Sequence, residues 1–382
     1  MFRDEVRAWL SEHLVGEFAE LGASGGPGRE HEGFEVRLAW ERKLGAAGWT
    51  CLGWPKKFGG REASMAEQVT FNEEYVRAGA PVRVGHIGEG LLGPTIIELG
   101  TPEQQGRFLP PIVAGTELWC QGYSEPDAGS DLANVKTRAR LDGDEWVITG
   151  QKVWTSLAQT ADWCFVVART EEGSVRHAGL SYLLVPMKQD GVEIRPIVQV
   201  TGTSEFNEVF FDGARTAAAN VVGPVGDGWR VAMATLGFER GVATLGQQLG
   251  FEREYDAILA LAQANGTSSS PVMRQRLADA FIGLRLLRYN ALRTLHSMAD
   301  GEPGPEASIS KLAWATWHRA LGELAMDVSG MQATLADGFP YDLSSLQRLF
   351  LFTRADTIYG GSNEIQRNII GERALGLPRE PK

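Results

Sequence analysis

Cysteine is scarce in this chain. Cys51, Cys120 and Cys164 are its full complement, and no two share a ligand-like or disulfide-framework spacing. That pattern excludes a disulfide scaffold and fits reduced thiols. The 6 histidines form no H-x-x-x-H or similar pair, so no metal site is predicted. No run approaches the ~20 apolar residues of a membrane-spanning helix. Positive charge is in deficit, with 37 Lys and Arg against 48 Asp and Glu and a net charge of −11. Nucleic acid and anionic membrane surfaces are therefore excluded as main partners, and an anionic ligand must be met by local basic groups or helix N-termini. The N-terminal MFRDEVRAWLSEHL reads as an acidic amphipathic helix rather than a secretory or transit signal. A soluble, cytoplasmic protein is expected.

What the chain does contain is an ordinary globular composition, 43% hydrophobic and 22% charged, over 382 residues. That length predicts two or three domains. Residues 1–117 read as helical. Helices are expected over 1–20, Phe34–Ala47 and Ser64–Ala78, with Leu21–Gly33 a glycine-rich surface loop. Thr101-Pro102-Glu103-Gln104 starts another helix, Thr capping and Gln closing the box. Residues 118–223 change to short alternating runs, among them Lys136–Leu141, Glu145–Thr149, Trp163–Ala168, Leu180–Pro186, Val192–Val198 and Glu208–Asp212. No helical period intervenes, so a small β-barrel or sandwich is expected. Residues 224–382 return to the 3.6 period; Leu277, Phe281, Leu284, Ala291 and Leu295 form one helical stripe of a four-helix-bundle-like domain. The fold class is thus α+β multidomain.

The stretch Trp119–Ser156 carries the strongest chemical signal. Ser124-Glu125-Pro126-Asp127-Ala128-Gly129-Ser130-Asp131 is a tight loop of turn formers and small hydroxyls. Asp142-Gly143-Asp144 signals a hairpin. Gly150-Gln151-Lys152-Val153-Trp154-Thr155-Ser156 sets a large aromatic beside two hydroxyls. Two readings stand on these residues alone: a β-hairpin with a core Trp154, or a wall for a planar, electron-poor ring. Three other patterns have bland explanations. Gly223-Pro-Val-Gly226-Asp-Gly228 lacks the surrounding βαβ unit of a phosphate loop and reads as a hinge. Ser308-Ile-Ser-Lys311 lacks the companion motifs of acyl-serine enzymes. Asn265-Gly-Thr267 is a glycosylation triplet without a secretory signal.

Ser124-Glu125-Pro126 with Ala128-Gly129-Ser130-Asp131, followed by Gly150-Gln151-Lys152 and Trp154, resembles the flavin-binding signature of the acyl-CoA dehydrogenase family. Ile358-Tyr359-Gly360-Gly361-Ser362-Asn363-Glu364-Ile365-Gln366-Arg367 resembles its second signature. The resemblance covers nearly the whole chain and is weakest at Asn265–Pro271. It implies the acyl-CoA dehydrogenase fold, with FAD as cofactor. Ser124 would bond the pyrimidine end of the flavin, Ser156 would face N5 and Trp154 would cover the ring. Tyr123, Ser130, Thr155, Gly361, Ser362 and Asn363 join the implied cofactor contacts. Ser130, Arg240, Tyr359 and Gly360 are the implied substrate contacts.

The implied reaction is α,β-dehydrogenation of an acyl-CoA to the 2,3-enoyl-CoA. The hydride would go to flavin N5 and the electrons to an electron-transfer flavoprotein. Many members carry the base as Glu directly after the signature Tyr; here that residue is Gly360. Others carry it just before an arginine on the first long C-terminal helix, which points to Glu239 in Phe238-Glu239-Arg240. The usual Arg-x-x-Phe-Gly loop for the adenosine end is replaced by Asn265–Pro271, and Arg274 and Gln275 stand in for it. A homo- or hetero-oligomer is expected, built through the C-terminal helices. Alternatives on the same fold are an acyl-CoA oxidase, a flavin monooxygenase, or a non-catalytic or half-site subunit of a heteromeric dehydrogenase.

Overall fold

The computed structural model describes residues 1–26, 28–238, 243–299, 305–338 and 342–379. They pack as two compact units. The first comprises Met1–Gln68, Arg77–Gln199 and Thr203–Gly241; the second comprises Val69–Val76, Val200–Gly202 and Val242–Lys382.

The first unit begins with α1 (Phe2–His13), α2 (Glu17–Leu21), α3 (Phe34–Ala46) and α4 (Met65–Arg77), of which Val69–Val76 belong to the second unit. The single helix expected over 1–20 is two, because Gly16 at φ 58° interrupts it. The segment Leu21–Gly33 is not a bare surface loop. Fully buried Arg37 donates to the carbonyls of Glu30 and Val82 and to the Glu30 carboxylate, so the loop wraps a guanidinium. A π-helical turn, Gly88–Leu92, leads into α5 (Gly93–Leu99). Then α6 (Pro102–Ala114) starts as expected, with Thr101 accepting from the Gln104 amide and Gln104 returning the bond.

Eight strands follow: β1 (Trp119–Gly122), β2 (Arg138–Asp142), β3 (Glu145–Ser156), β4 (Trp163–Arg169), β5 (Leu180–Pro186), β6 (Val192–Ile197), β7 (Phe206–Ala217) and β8 (Val221–Val222). Their order is β6-β7-β3-β2-β4-β5-β8, with β1 parallel to β4. The β2–β3 hairpin turns where Asp142-Gly143-Asp144 predicts. However, β3 and β7 each run to 12 residues, well beyond the local alternation, because each is the other's antiparallel partner.

On β4, Cys164, Val166 and Ala168 face one core with Ile148, Val185 and Phe211, while Phe165 and Val167 face a second with Trp54, Phe108 and Tyr182. The first of these cores joins inner faces of β3 and β7 to those of β4 and β5, a sandwich-like curl. Cys120 and Cys164, far apart in sequence, are register partners on β1 and β4, both buried and free.

The loop 223–228 is packed rather than hinged. Gly226 N donates to Ser181 Oγ, and a Cβ on Gly228 would meet the Ser181 backbone at 2.4 Å. Glycine there lets α7 (Gly228–Phe238) lie directly on β5 within the first unit.

The second unit holds α8 (Ala243–Ala264), α9 (Pro271–Ala299), α10 (Pro305–Ser329), α11 (Ser345–Asp356) and α12 (Asn363–Ile369). The central helix is α10, packing on the other four. Its core contains Phe251, Ile258, Leu277, Leu284, Trp314 and Leu324. The stripe expected on α9 is therefore only partly inward: Leu277, Leu284 and Ala291 are buried and Phe281 is exposed, while the Leu295 side chain lies outside the described residues. A different row, Ile282, Leu286 and Tyr289, is exposed. Among the described residues no helix is long and apolar enough to cross a membrane, and no cluster of His, Cys, Asp or Glu could hold a metal.

Candidate active site

Strand alternation places Trp146, Ile148 and Lys152 on the buried face of β3, and would put Trp154 there too. It does not, because the strand carries a bulge. Lys152 pairs with Val209 and Thr155 with Asn207, so β3 spends one residue more than β7. The bulge inverts the parity. Thr155 turns inward and is fully buried; Trp154 turns outward with 58% of its surface exposed. Trp154 takes φ 59° and Leu157 φ 58°, left-handed conformations that cost non-glycine residues about 1–3 kcal/mol each. The core reading of Trp154 is thus excluded: the chain holds an indole outward in a strained bulge, with the Phe206 ring at a T-shaped angle to it, 6.2 Å away.

The hydroxyls flank it. Ser156 is half-buried, and Thr155 Oγ1 is buried with no hydrogen-bond partner. Asn207, opposite Thr155, donates to the Thr155 carbonyl and to Gln159 Oε1, leaving its own Oδ1 without a partner. A buried polar atom without a partner is costly, and a bound group could supply one.

The Ser124 loop is fastened to this bulge. Val153 N donates to Ser124 O at 2.9 Å. Glu125 and Ala128 exchange backbone bonds around Pro126-Asp127, and the buried Glu125 carboxylate accepts from Lys136 N at 2.6 Å, Thr137 N at 2.9 Å and Lys152 Nζ at 2.8 Å. Burial opposes ionisation of Glu125, but the Lys152 charge and these donors outweigh it and hold the carboxyl below its ordinary value. Burial pushes the Lys152 ammonium down, with Glu125 opposing. Ser124 is half-buried and Ser130 exposed at the loop's tip. The Tyr123 ring is core, packed edge-on against Phe165 and Tyr182, and its carbonyl is taken by Lys152 Nζ.

In the second unit, Tyr359, Gly360, Gly361, Ser362 and Asn363 come together in the turn between α11 and α12. Gly360 and Gly361 take φ 61° and 84°, and a Cβ on Gly361 would meet Gln366 Nε2 at 2.6 Å. Gln366 Nε2 donates to Gly360 O, and Ser362 caps α12. The Tyr359 hydroxyl donates to Asp356 Oδ1 at 2.7 Å. Asn363 is buried, donates to Thr316 Oγ1 and keeps Oδ1 without a partner.

Arg274 and Gln275 do not join this cluster. They are exposed near the start of α9, a corner tied to the far end of α10 by Asn265 Nδ2 donating to Val328 O. From Thr316 to Val328 is about 18 Å of helix. Glu239 and Arg240 lie outside the described residues.

Glu125, Lys152, Asn207 and Asp356 have no assigned role in the sequence reading. Glu125 and Lys152 stand inside the signature segments and Asn207 and Asp356 do not; what each of the four holds is decided by the fold.

Three family models match the chain in order: acyl-CoA dehydrogenase, N-terminal domain, over residues 1–116; middle domain, over 120–214; C-terminal domain, over 226–375. Acyl-CoA dehydrogenase IpdE1 of Mycobacterium tuberculosis is 64% identical over 382 residues, covering 100% of this chain and 98% of that protein. Acyl-CoA dehydrogenase IpdE1 of Mycolicibacterium smegmatis is 62% identical over 391 residues, covering 100% and 98%. Among solved structures, the Tcur3481-Tcur3483 steroid ACAD matches with TM-score 0.84 and 30% identity, over 99% of this chain and 97% of that one. The ChsE4-ChsE5 complex from Mycobacterium tuberculosis matches with TM-score 0.82 and 33% identity, over 99% and 97%. Fold, signatures and family models agree, and the chain belongs to the acyl-CoA dehydrogenase family of oxidoreductases acting on CH–CH bonds.

Proposed function

We propose that the chain carries out FAD-dependent α,β-dehydrogenation of a bulky, ring-bearing acyl-CoA thioester, with Glu239 as base and an electron-transfer flavoprotein as acceptor. The observation that carries this reading is Trp154, held outward at φ 59° beside the unpartnered Thr155 hydroxyl. An exposed indole face and a hydroxyl lacking a partner fit a planar ring with polar edges. Trp154, Thr155, Ser156 and Ser124 would hold the flavin, and Arg274 and Gln275 would meet its pyrophosphate. FAD, when bound, supplies the acceptor for the hydride leaving the β-carbon.

The chain's own residues do the remaining work. Glu239 takes the proton from the α-carbon. The Gly360 N–H donates to the thioester oxygen, where charge builds as that proton leaves. Glycine at 360 removes the side chain that many members place there, leaving room for branched or polycyclic acyl groups. Support for ring-bearing substrates comes from a structural relative described as a steroid ACAD. Assembly with a second, related chain is supported by the two-chain complexes among the structural relatives and by the exposed Ile282, Leu286 and Tyr289 row on α9.

The test is anaerobic mixing of the purified protein with butyryl-CoA, isobutyryl-CoA, octanoyl-CoA and the CoA thioester of cholanoic acid. Flavin bleaching fastest with the steroid thioester, without oxygen consumption in air, supports the reading. Bleaching coupled to oxygen uptake would make it an oxidase. A colourless protein that stays colourless with added FAD would make it a structural subunit.

A further inference from the structure

His318 on α10 is 8% exposed and lies between two carboxylates. Its Nδ1 is 2.7 Å from Asp356 Oδ2, and its Nε2 is 2.7 Å from Glu254 Oε2. A neutral imidazole has one N–H and can serve only one of them; an imidazolium serves both. Burial favours the neutral ring, but the hydrogen bonds and charges of Asp356 and Glu254 outweigh it and raise His318 to about 9. Glu254 faces the ring from α8 and Asp356 from the end of α11. Lys311 also reaches the cluster: its Nζ donates to the Asp356 carbonyl and sits 4.8 Å from the Tyr359 ring centroid. The rings of Phe251 and Trp317 complete the surround.

The chain of bonds does not stop at Asp356. Its other oxygen, Oδ1, accepts the Tyr359 hydroxyl, and Tyr359 opens the turn that carries Gly360 and Gly361. Holding α8, α10 and α11 together would require no such extension. We propose that His318 is a positioning residue for the dehydrogenation, holding Asp356 so that Tyr359 fixes the Gly360 amide for the thioester oxygen. This rests on the assignment of Gly360 to the thioester; the link from His318 to the turn is testable without it.

The sign of the pH effect follows from the raised value. The charged clamp is fully favourable below the ordinary histidine value of 6.5 and is lost as pH rises through about 9. Above about 9 the neutral ring has one N–H to share between Asp356 and Glu254, so flavin reduction should hold steady at neutral pH and decline in part, not wholly, on an alkaline limb near 9.

Two isosteres separate positioning from bulk. His318→Asn keeps an amide N–H where Nδ1 stood, facing Asp356; His318→Gln places it where Nε2 stood, facing Glu254. In holoprotein of equal FAD content, His318→Asn should reduce its flavin within about 3-fold of the parent and lose the alkaline limb. His318→Gln and Tyr359→Phe should fall by about 10- to 100-fold at saturating thioester. The thioester used is the fastest of the four above. Hydrogen exchange of the Gly360 and Gly361 amides, read by NMR without substrate, should quicken in His318→Gln and Tyr359→Phe but not in His318→Asn. Parental exchange in those two variants overturns the proposal, as does equal loss in both His318 variants. If no thioester bleaches the parent, the functional reading fails while the exchange result still decides the positioning one.

Discussion

Lys152 and Glu125 meet inside the first unit, Nζ to Oε1 at 2.8 Å, with side chains 0% and 6% exposed. Glu125 follows Ser124, and Lys152 precedes the bulge at Trp154. The ammonium also donates to Tyr123 O at 3.0 Å and Val167 O at 2.8 Å, so three donors meet three acceptors in a dry interior. One ion pair thus fixes the Ser124 loop against the strand that carries Trp154. Replacing Lys152 by Met leaves Glu125 buried without a counter-charge, which costs about 3–5 kcal/mol. Denaturant unfolding should show that loss, and Glu125→Gln on the same background should recover part of it. Because the Glu125 carboxyl is held below its ordinary value, the pair's contribution is present at neutral pH and lost as pH falls through that depressed value. A Lys152→Met protein as stable as its parent would refute the assignment.

Trp154 separates stability from cofactor retention. Its left-handed backbone suits glycine, so Trp154→Gly should relieve about 1 kcal/mol of strain in the apoprotein. The same change removes the indole face, so FAD titration should show weaker binding. Thermal unfolding without FAD and flavin fluorescence with it check the two halves. Unchanged FAD affinity would remove Trp154 from the flavin wall.

Glu239→Gln keeps shape and hydrogen bonding while removing the proton acceptor. Anaerobic flavin reduction should slow by about 10²–10⁴, with FAD content intact. Moving the carboxylate to residue 360 meets a backbone obstacle: Gly360 sits at φ 61°, where an L side chain costs about 1–2 kcal/mol. Gly360→Glu in the Glu239→Gln background should therefore restore only part of the rate and lower the melting temperature. Parental flavin reduction by Glu239→Gln alone would place the base elsewhere.

Assembly is predicted to use the outward row on α9. Leu286 is 60% exposed between Ile282 and Tyr289, one helical turn either way. Leu286→Glu should shift the protein toward monomer by light scattering at micromolar concentration while far-UV ellipticity stays parental. An unchanged mass would move the interface to another face.

Local signals were enough for much of this protein. Thr101 and Gln104 cap α6 because their bonds span three residues, and Asp142-Gly143-Asp144 turns the hairpin because a two-residue turn needs only its own backbone. The order of helical, β and helical segments follows from hydrophobic period, and the two signatures identify the family because their residues are contiguous. The rest depended on partners far along the chain. Alternation alone turns Trp154 inward; the bulge that turns it outward exists only against β7. Likewise the α9 stripe reads as one apolar face until α8 and α10 choose which side to bury. Glu125 with Lys152, and His318 with Glu254 and Asp356, are ordinary surface residue types in sequence. Burial made them pairs, because a charge removed from water persists only where the fold brings its counter-charge within hydrogen-bond reach.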